Sequence, residues 1–212
     1  MAYFAGNKLM GSEADAMAAM AAIQKNNAAN IAKDAGRHDE AIRLHKEALQ
    51  TKIRLFGERS VDAALSFNGL GSAFLGAGKL DEAADAYSKS LKVRDDAAFG
   101  GLEAGPRQDA AATRDNMARV LEARGDFAGA REIRLKGADK GRTLCGCDNC
   151  VTTGGTMLSR AQLKACGACR SVFYCSAACQ KKDWTSRHKP LCKKYTASKQ
   201  SSANLGEAAA SV

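Results

Sequence analysis

Proline is nearly missing from this chain: Pro106 and Pro190 are the only two in 212 residues. Proline breaks helix interiors, so most of the sequence can run as long helices. Aromatic residues are scarce at 6 %, and Trp184 is the one tryptophan. That excludes a core built on large rings, and it leaves no series of aromatics on which nucleic-acid bases would stack. No apolar run approaches the length of a membrane span, so no membrane partner is expected. The N-terminus lacks a basic region, an apolar core and a cleavage site in that order, so no oxidising compartment is indicated. Glu13 and Asp15 interrupt the first stretch and no arginine precedes Arg37, which argues against a targeting presequence. The expectation is a protein of the cytoplasm or nucleus. Phosphate-binding loops, nucleophile elbows and dinucleotide fingerprints are all missing, so no enzyme is expected.

Against these absences stands one concentration. All eight cysteines lie between Cys145 and Cys192, together with His188 and Trp184. Cys147/Cys150 and Cys166/Cys169 are C-x2-C pairs, while Cys175/Cys179 and His188/Cys192 are each four apart. A C-x2-C turn places two sulfurs on one ion, and ligands at i and i+4 of a helix face the same way. Four pairs make eight ligands, enough for two closed tetrahedral sites. The mix of thiolate and imidazole suits structural Zn2+. Cys145 is set aside because Cys145-x-Cys147 lacks the knuckle spacing, although it stands close enough to compete for the first site. A disulfide scaffold is the competing reading, and the even cysteine count permits it.

The order of these pairs resembles the MYND-type zinc finger. The likeness extends to Phe173-Tyr174-Cys175, Cys179-Gln180, Asp183-Trp184 and His188-x3-Cys192, and it covers about a quarter of the chain. The resemblance implies a cross-brace. Cys147, Cys150, Cys175 and Cys179 would bind one zinc; Cys166, Cys169, His188 and Cys192 would bind the other. It also implies that short proline-containing peptides lie beside the small hairpin as an added strand, lined by Val172, Phe173, Gln180 and Trp184. Trp184 has a second reading, as a cover for the zinc core. A RING-type finger fits less well, because its later pairs are C-x2-C. Such fingers also occur within SET-domain methyltransferases, but this chain has neither the β-rich region nor the motifs of a SET domain.

Upstream, a segment recurs. Ala35-Gly36-Arg37-His38-Asp39-Glu40-Ala41 matches Ala77-Gly78-Lys79-Leu80-Asp81-Glu82-Ala83 and, more loosely, Arg124-Gly125-Asp126-Phe127-Ala128-Gly129-Ala130. Each glycine can end one helix in the left-handed conformation, and the following Asp can cap the next. Large-small-large positions frame the second copy: Phe67, Leu70, Gly71 and Phe74, then Ala83, Tyr87 and Leu91. This resembles the tetratricopeptide repeat (TPR), helix-turn-helix units stacked as a solenoid, in the longer form found in kinesin light chains. The Ala-rich segment before it reads as a helix, with Met17, Met20, Ile23 and Ile31 at helical steps. His38 and His45 read as surface or packing residues.

The expected fold is therefore mainly α: a TPR-like solenoid followed by a small cross-braced two-zinc finger. Its parts are an N-terminal segment or capping helix (1–26), about three repeats (27–140), the finger (147–192) and a disordered tail (193–212). A loop is expected at 99–106 and a linker at 137–142.

The net charge of +9 sits wholly on the finger region. Residues 141–200 hold eleven basic and two acidic residues, and the remaining twenty-one of each sign balance. Seven thiolates and two zinc ions would lower that +9 to about +6. Lys181, Lys182, Arg187, Lys189, Lys193 and Lys194 would carry what remains. The expected function is an intracellular adaptor that reads peptides through both modules, in transcriptional or chromatin regulation. The alternative is nucleic-acid binding through the basic finger.

Overall fold

The computed structural model describes residues 3–5, 8–96, 98, 108–139, 142–150, 153, 154 and 156–209, with backbone alone for 3–5, 8–10 and 201–209. The loop expected at 99–106 lies outside the described residues. The chain divides into two compact units, residues 1–116 and 117–212.

The first unit opens with a short antiparallel hairpin, β1 (Tyr3–Ala5) and β2 (Lys8–Met10), which the sequence did not announce. Four helices follow: α1 (Glu13–Asp34), α2 (His38–Phe56), α3 (Val61–Gly76) and α4 (Leu80–Arg94). They pack as two hairpins, α1 on α2 and α3 on α4, with α2 also against α3. The boundary expected at residue 26 falls inside α1. Residues 13–26 of that segment belong to the leading helix of the first hairpin.

The repeated glycines act as the sequence implied. Gly36 and Gly78 have φ of 75° and 73°. In each turn the following amide reaches back into the helix just ended: Arg37 N–H to the Ala32 carbonyl, Lys79 N–H to that of Phe74. A left-handed residue at this place closes the helix's last free carbonyls. The expected Asp caps are not made in these two hairpins. Arg37 and Lys79 occupy the cap positions without side-chain caps, and Asp39 and Asp81 lie two residues further, within the first turn. There they complement the helix dipole instead.

Close approach rests on small residues. Ala29, Ala32, Ala41 and Ala48 are fully buried, whereas Met17, Met20 and Ile31 are more than 60 % exposed. Helix α1 thus docks through its alanines and turns its larger side chains outward. In the second hairpin a Cβ on Gly71 would stand 2.8 Å from the Tyr87 ring. Tyr87 is buried on that contact and donates its hydroxyl to Ser72 Oγ at 3.0 Å.

The helix α5 (Gln108–Ala123) crosses the boundary between the units. Its last turns group with α6 (Phe127–Leu135) and with the cysteine-rich region in the second unit. Here Asp126 is a true N-cap, accepting from Gly129 N–H at 2.8 Å, and Gly125 repeats the left-handed turn with φ of 87°. The rest comprises β3 (Lys164–Ala165), paired antiparallel with β4 (Phe173–Tyr174), then α7 (Ala177–Asp183), a single π-turn (Trp184–His188) and α8 (Lys189–Ala209). The tail expected to lack order after Cys192 continues as α8. Among the described residues no helix is long and apolar enough to cross a membrane.

Candidate metal centres and the finger surface

Each ligand candidate is set by a short, well-capped element. Cys166 follows β3 and donates its amide to the Val172 carbonyl; Arg170 N–H then closes a turn onto the Cys166 carbonyl. That turn brings Cys169 back toward Cys166 and puts Arg170 at φ 61°. Cys175 leaves β4, and Ser176 caps α7 by accepting from Cys179 N–H at 3.2 Å. Cys192 lies in the first turn of α8. The π-turn inserts one residue per turn relative to an α-helix. It aims His188 inward while Arg187 reaches another partner.

Two groups result. Cys166, Cys169, His188 and Cys192 gather with their ligand atoms within 4.8 Å of one another, as the resemblance implied for the second site. The first group is Cys145, Cys150, Cys175 and Cys179. It departs from expectation at one residue: Cys145 stands where Cys147 was expected. A Cβ on Gly146 would stand 2.4 Å from Val172 Cγ1, and Gly146 N–H donates to the Phe173 carbonyl at 2.8 Å. The Cys145–Cys147 segment is therefore laid flat against β4. Alternate residues of such a segment share a face, so Cys147 stays beside the group, its thiol hydrogen-bonded to Cys179. Cys147 is also buried, and its sulfur lies 3.5 Å from the Asp148 carbonyl.

The spacing fits a tetrahedral ion. Zn–S bonds of about 2.3 Å give sulfur–sulfur edges of about 3.8 Å. Cys150 lies 3.5 Å from Cys175 and 3.6 Å from Cys179, and Cys175 lies 3.6 Å from Cys179. In the second group Cys166 and Cys192 are 3.9 Å apart, and His188 Nε2 is 3.3 Å from Cys169. Disulfide bonding would need about 2.05 Å, and none of the eight cysteines is in a disulfide. Both clusters suit zinc.

Each cluster already favours one thiolate. The hydrogen bond from Cys169 draws the Cys166 thiol down to about 3, against burial and with help from His188. Cys169 is pushed up in return, first by that bond and then by burial. Burial would raise Cys150, but hydrogen bonds from Thr153, Cys175 and Cys179 bring it to about 6. A dication would take the charge that these sulfurs now share through protons.

Around the metal groups, Val172 and Tyr174 form a core with the sulfurs and Phe127, and Trp184 and Tyr195 pack against it half-buried. The Trp184 ring meets His188 edge-on at 5.9 Å. Its reading as a cover for the zinc core thus has direct geometric support, and part of its surface remains open. Gln180 is half-buried on α7. Val172 and Phe173 are not groove residues: both are 0 % exposed. The Arg160 guanidinium sits 4.9 Å from the Phe173 ring centroid, with Arg131 behind it at 5.8 Å.

A second feature, which sequence reasoning missed, is a buried charge cluster. Glu122 on α5 is fully buried and accepts from Arg134 on α6, from Ser171 before β4 at 2.6 Å, and from Arg187 at 2.9 Å. Arg187 also grips Asp183 through two nitrogens, at 3.0 and 2.9 Å, and Asp183 accepts from the Tyr174 hydroxyl at 2.7 Å. Burial opposes ionisation of Glu122, yet the two guanidiniums hold its carboxyl below the usual range. Arg187 therefore leaves the set of free surface cations. Lys181, Lys182, Lys189, Lys193 and Lys194 remain exposed.

Known proteins place these parts. The family model for the tetratricopeptide repeat matches residues 19–96, and that for the MYND finger matches residues 145–192. Over 40 residues the chain is 50 % identical to ubiquitin carboxyl-terminal hydrolase 19 of Arabidopsis thaliana, which is 19 % of this chain and 6 % of that protein. Over 47 residues it is 47 % identical to SET domain-containing protein 14 of Caenorhabditis elegans, covering 22 % of this chain and 9 % of the relative. The likeness spans less than a tenth of either relative. Among solved structures it is similar to BtubC (BKLC) from P. vanneervenii, with a TM-score of 0.49 and 29 % identity over 55 % of this chain and 44 % of that one. Repeat helices, cysteine groups and both family matches agree: the chain joins a tetratricopeptide-repeat region to a MYND zinc finger.

Proposed function

We propose that this protein is an adaptor whose finger holds two structural zincs and takes a short, proline-containing peptide as an added strand. Both of its modules are protein-interaction modules. In this reading Cys145, Cys150, Cys175 and Cys179 hold the first ion, and Cys166, Cys169, His188 and Cys192 the second. Four protein ligands at each ion leave no open position, so the metals hold shape rather than catalyse.

The observation that carries the peptide reading is the state of the sheet edges. Cys166 N–H bonds to the Val172 carbonyl and Ala165 faces Phe173. In an antiparallel ladder bonded pairs alternate with non-bonded ones. Ala165 is thus in a non-bonded pair, and its own N–H and C=O point away from β4. The far edge of β4 is closed by Gly146. The edge of β3 at Ala165 is the one that offers a donor and an acceptor to an incoming strand. The family resemblance assigns Gln180 and Trp184 to the bound peptide. Proline fits such a strand at positions whose amide would face away.

The test is calorimetric titration of the zinc-loaded protein with a panel of proline-containing peptides at two salt concentrations. The expected outcome is binding that changes little with salt and falls at least tenfold in Trp184→Ala at unchanged zinc content. Affinity for DNA or RNA that drops steeply with salt, with no peptide bound, would shift the reading to nucleic acid.

A further inference from the structure

The first unit carries a groove separate from the finger. It lies between α2 and α4, the second helices of the two hairpins, with α3 as its floor. Phe67, Leu70 and Phe74 form that floor with Leu49. Two adjoining cavities of about 460 and 440 Å³ share Phe67 and Lys89 and so make one trough. Two lysines stand over it: Lys46 Nζ lies 5.7 Å from the Phe74 ring centroid, and Lys89 Nζ the same distance from that of Phe67.

The charges along the trough are ordered. Asp81, Glu82 and Asp85 outnumber Lys46 at the end nearer the start of α4; Arg59, Lys89 and Lys92 outnumber Glu58 at the other, where Val93 joins the wall. Acid early and base late also complement the dipole of α4 itself. That accounts for the order of charges but not for the apolar trough beside them. A second copy presenting its own α4 would not fill the trough, because apart from the buried Ala86 and Val93 the side chains that helix presents here are charged. The occupant must bring apolar side chains of its own.

We propose that this trough docks an amphipathic helix of another protein, lying antiparallel to α4. Such a helix lays one apolar stripe into a groove between two others. Its acidic first turn meets Lys89 and Lys92, and its basic last turn meets Glu82 and Asp85. The orientation also sets its dipole against that of α4. From Glu82 to Lys92 the trough is about 15 Å long at 1.5 Å per residue, the length of about three turns.

Two fluorescein-labelled 18-residue helical peptides of identical composition test this against the full zinc-loaded chain. Both carry a leucine stripe; one has acids in its first turn and bases in its last, and the other has them exchanged. Wild type should bind the acid-first peptide at least tenfold more tightly by anisotropy. The variant Glu82→Lys/Asp85→Lys/Lys89→Glu/Lys92→Glu, which retains the Asp85–Lys89 ion pair in reversed form, should reverse the preference. If that variant does not fold, Lys89→Glu/Lys92→Glu decides: it must abolish the advantage of the acid-first peptide. Equal binding of both peptides to both proteins overturns the proposal, as does binding of neither. Dimerisation of the wild type that these same substitutions abolish would give the trough to a second copy and overturn it too.

Discussion

Cys145 and Cys147 stand two residues apart, and only one can complete the first metal group. Spacing favours Cys147, because C-x2-C is the usual knuckle. The gathering of Cys145 with Cys150, Cys175 and Cys179 favours Cys145. Native mass spectrometry separates the two. Two zincs are expected in the wild type and in Cys147→Ser, and one in Cys145→Ser. The reverse result for the two variants would return the ligand role to Cys147.

His45 makes a second residue-scale test. It is 1 % exposed, with Nδ1 3.1 Å from Asn26 Oδ1 and Nε2 buried without a partner. Burial, then the charges of Lys33 and Lys52, lower its pKa from 6.5 to about 4. The unfolded chain takes up this proton below about pH 6.5 and the folded one only near pH 4. Stability therefore falls with pH across that window, by about 3 kcal/mol in total. Hydrogen exchange of α2 amides at pH 7 and pH 4 should show that loss in the wild type. His45→Gln should lack this part of it.

At the scale of elements, Glu122 ties α5 to α6, to the segment before β4 and to the π-turn. A buried carboxylate between two guanidiniums is costly to disturb, because removing one charge leaves its partners buried and unpaired. Glu122→Gln keeps the shape and removes the charge. It should destabilise the second unit by about 3–5 kcal/mol, read as a lower melting temperature at saturating zinc. An unchanged melting temperature would mean that water, not this carboxylate, satisfies Arg134 and Arg187. The repeat helices are held differently. Alanine against alanine and the Gly71–Tyr87 contact set how near α1–α2 and α3–α4 approach, while the Lys25–Glu47 and Arg54–Asp15 ion pairs bridge α1 and α2 at the surface.

At the scale of the molecule, the two units have different kinds of core. The first buries small aliphatic residues and a few rings between helices. The second surrounds two groups of sulfur with Val172, Tyr174 and Phe127. Structural zinc contributes on the order of 10 kcal/mol to folding, as much as a small domain's whole stability. Zinc bound as proposed would let so short a region manage with two two-residue strands. The basic excess of the chain lies in this same unit, where it faces anionic thiolate centres and, at Arg187, a buried carboxylate. Fewer cations are left for an outside partner than the formal charge implies.

Much of this was legible in the sequence, because the relevant signals are local. A glycine at the end of a helix, an alanine three to seven residues from it and a cysteine four before another constrain the backbone within a turn or two. So the helical hairpins and the left-handed turns could be read from spacing, whereas the make-up of the second metal group came from the resemblance to the finger family. What only the tertiary structure decided depends on neighbours distant in sequence. The tertiary fold gathered Cys145 with Cys150, Cys175 and Cys179. Arg160 and Arg131 closed over Phe173 and took it out of any groove. Helix α1 turned its methionines outward because its alanines fit α2 more closely. Glu122 met Arg187 across sixty-five residues, a contact that no periodicity encodes.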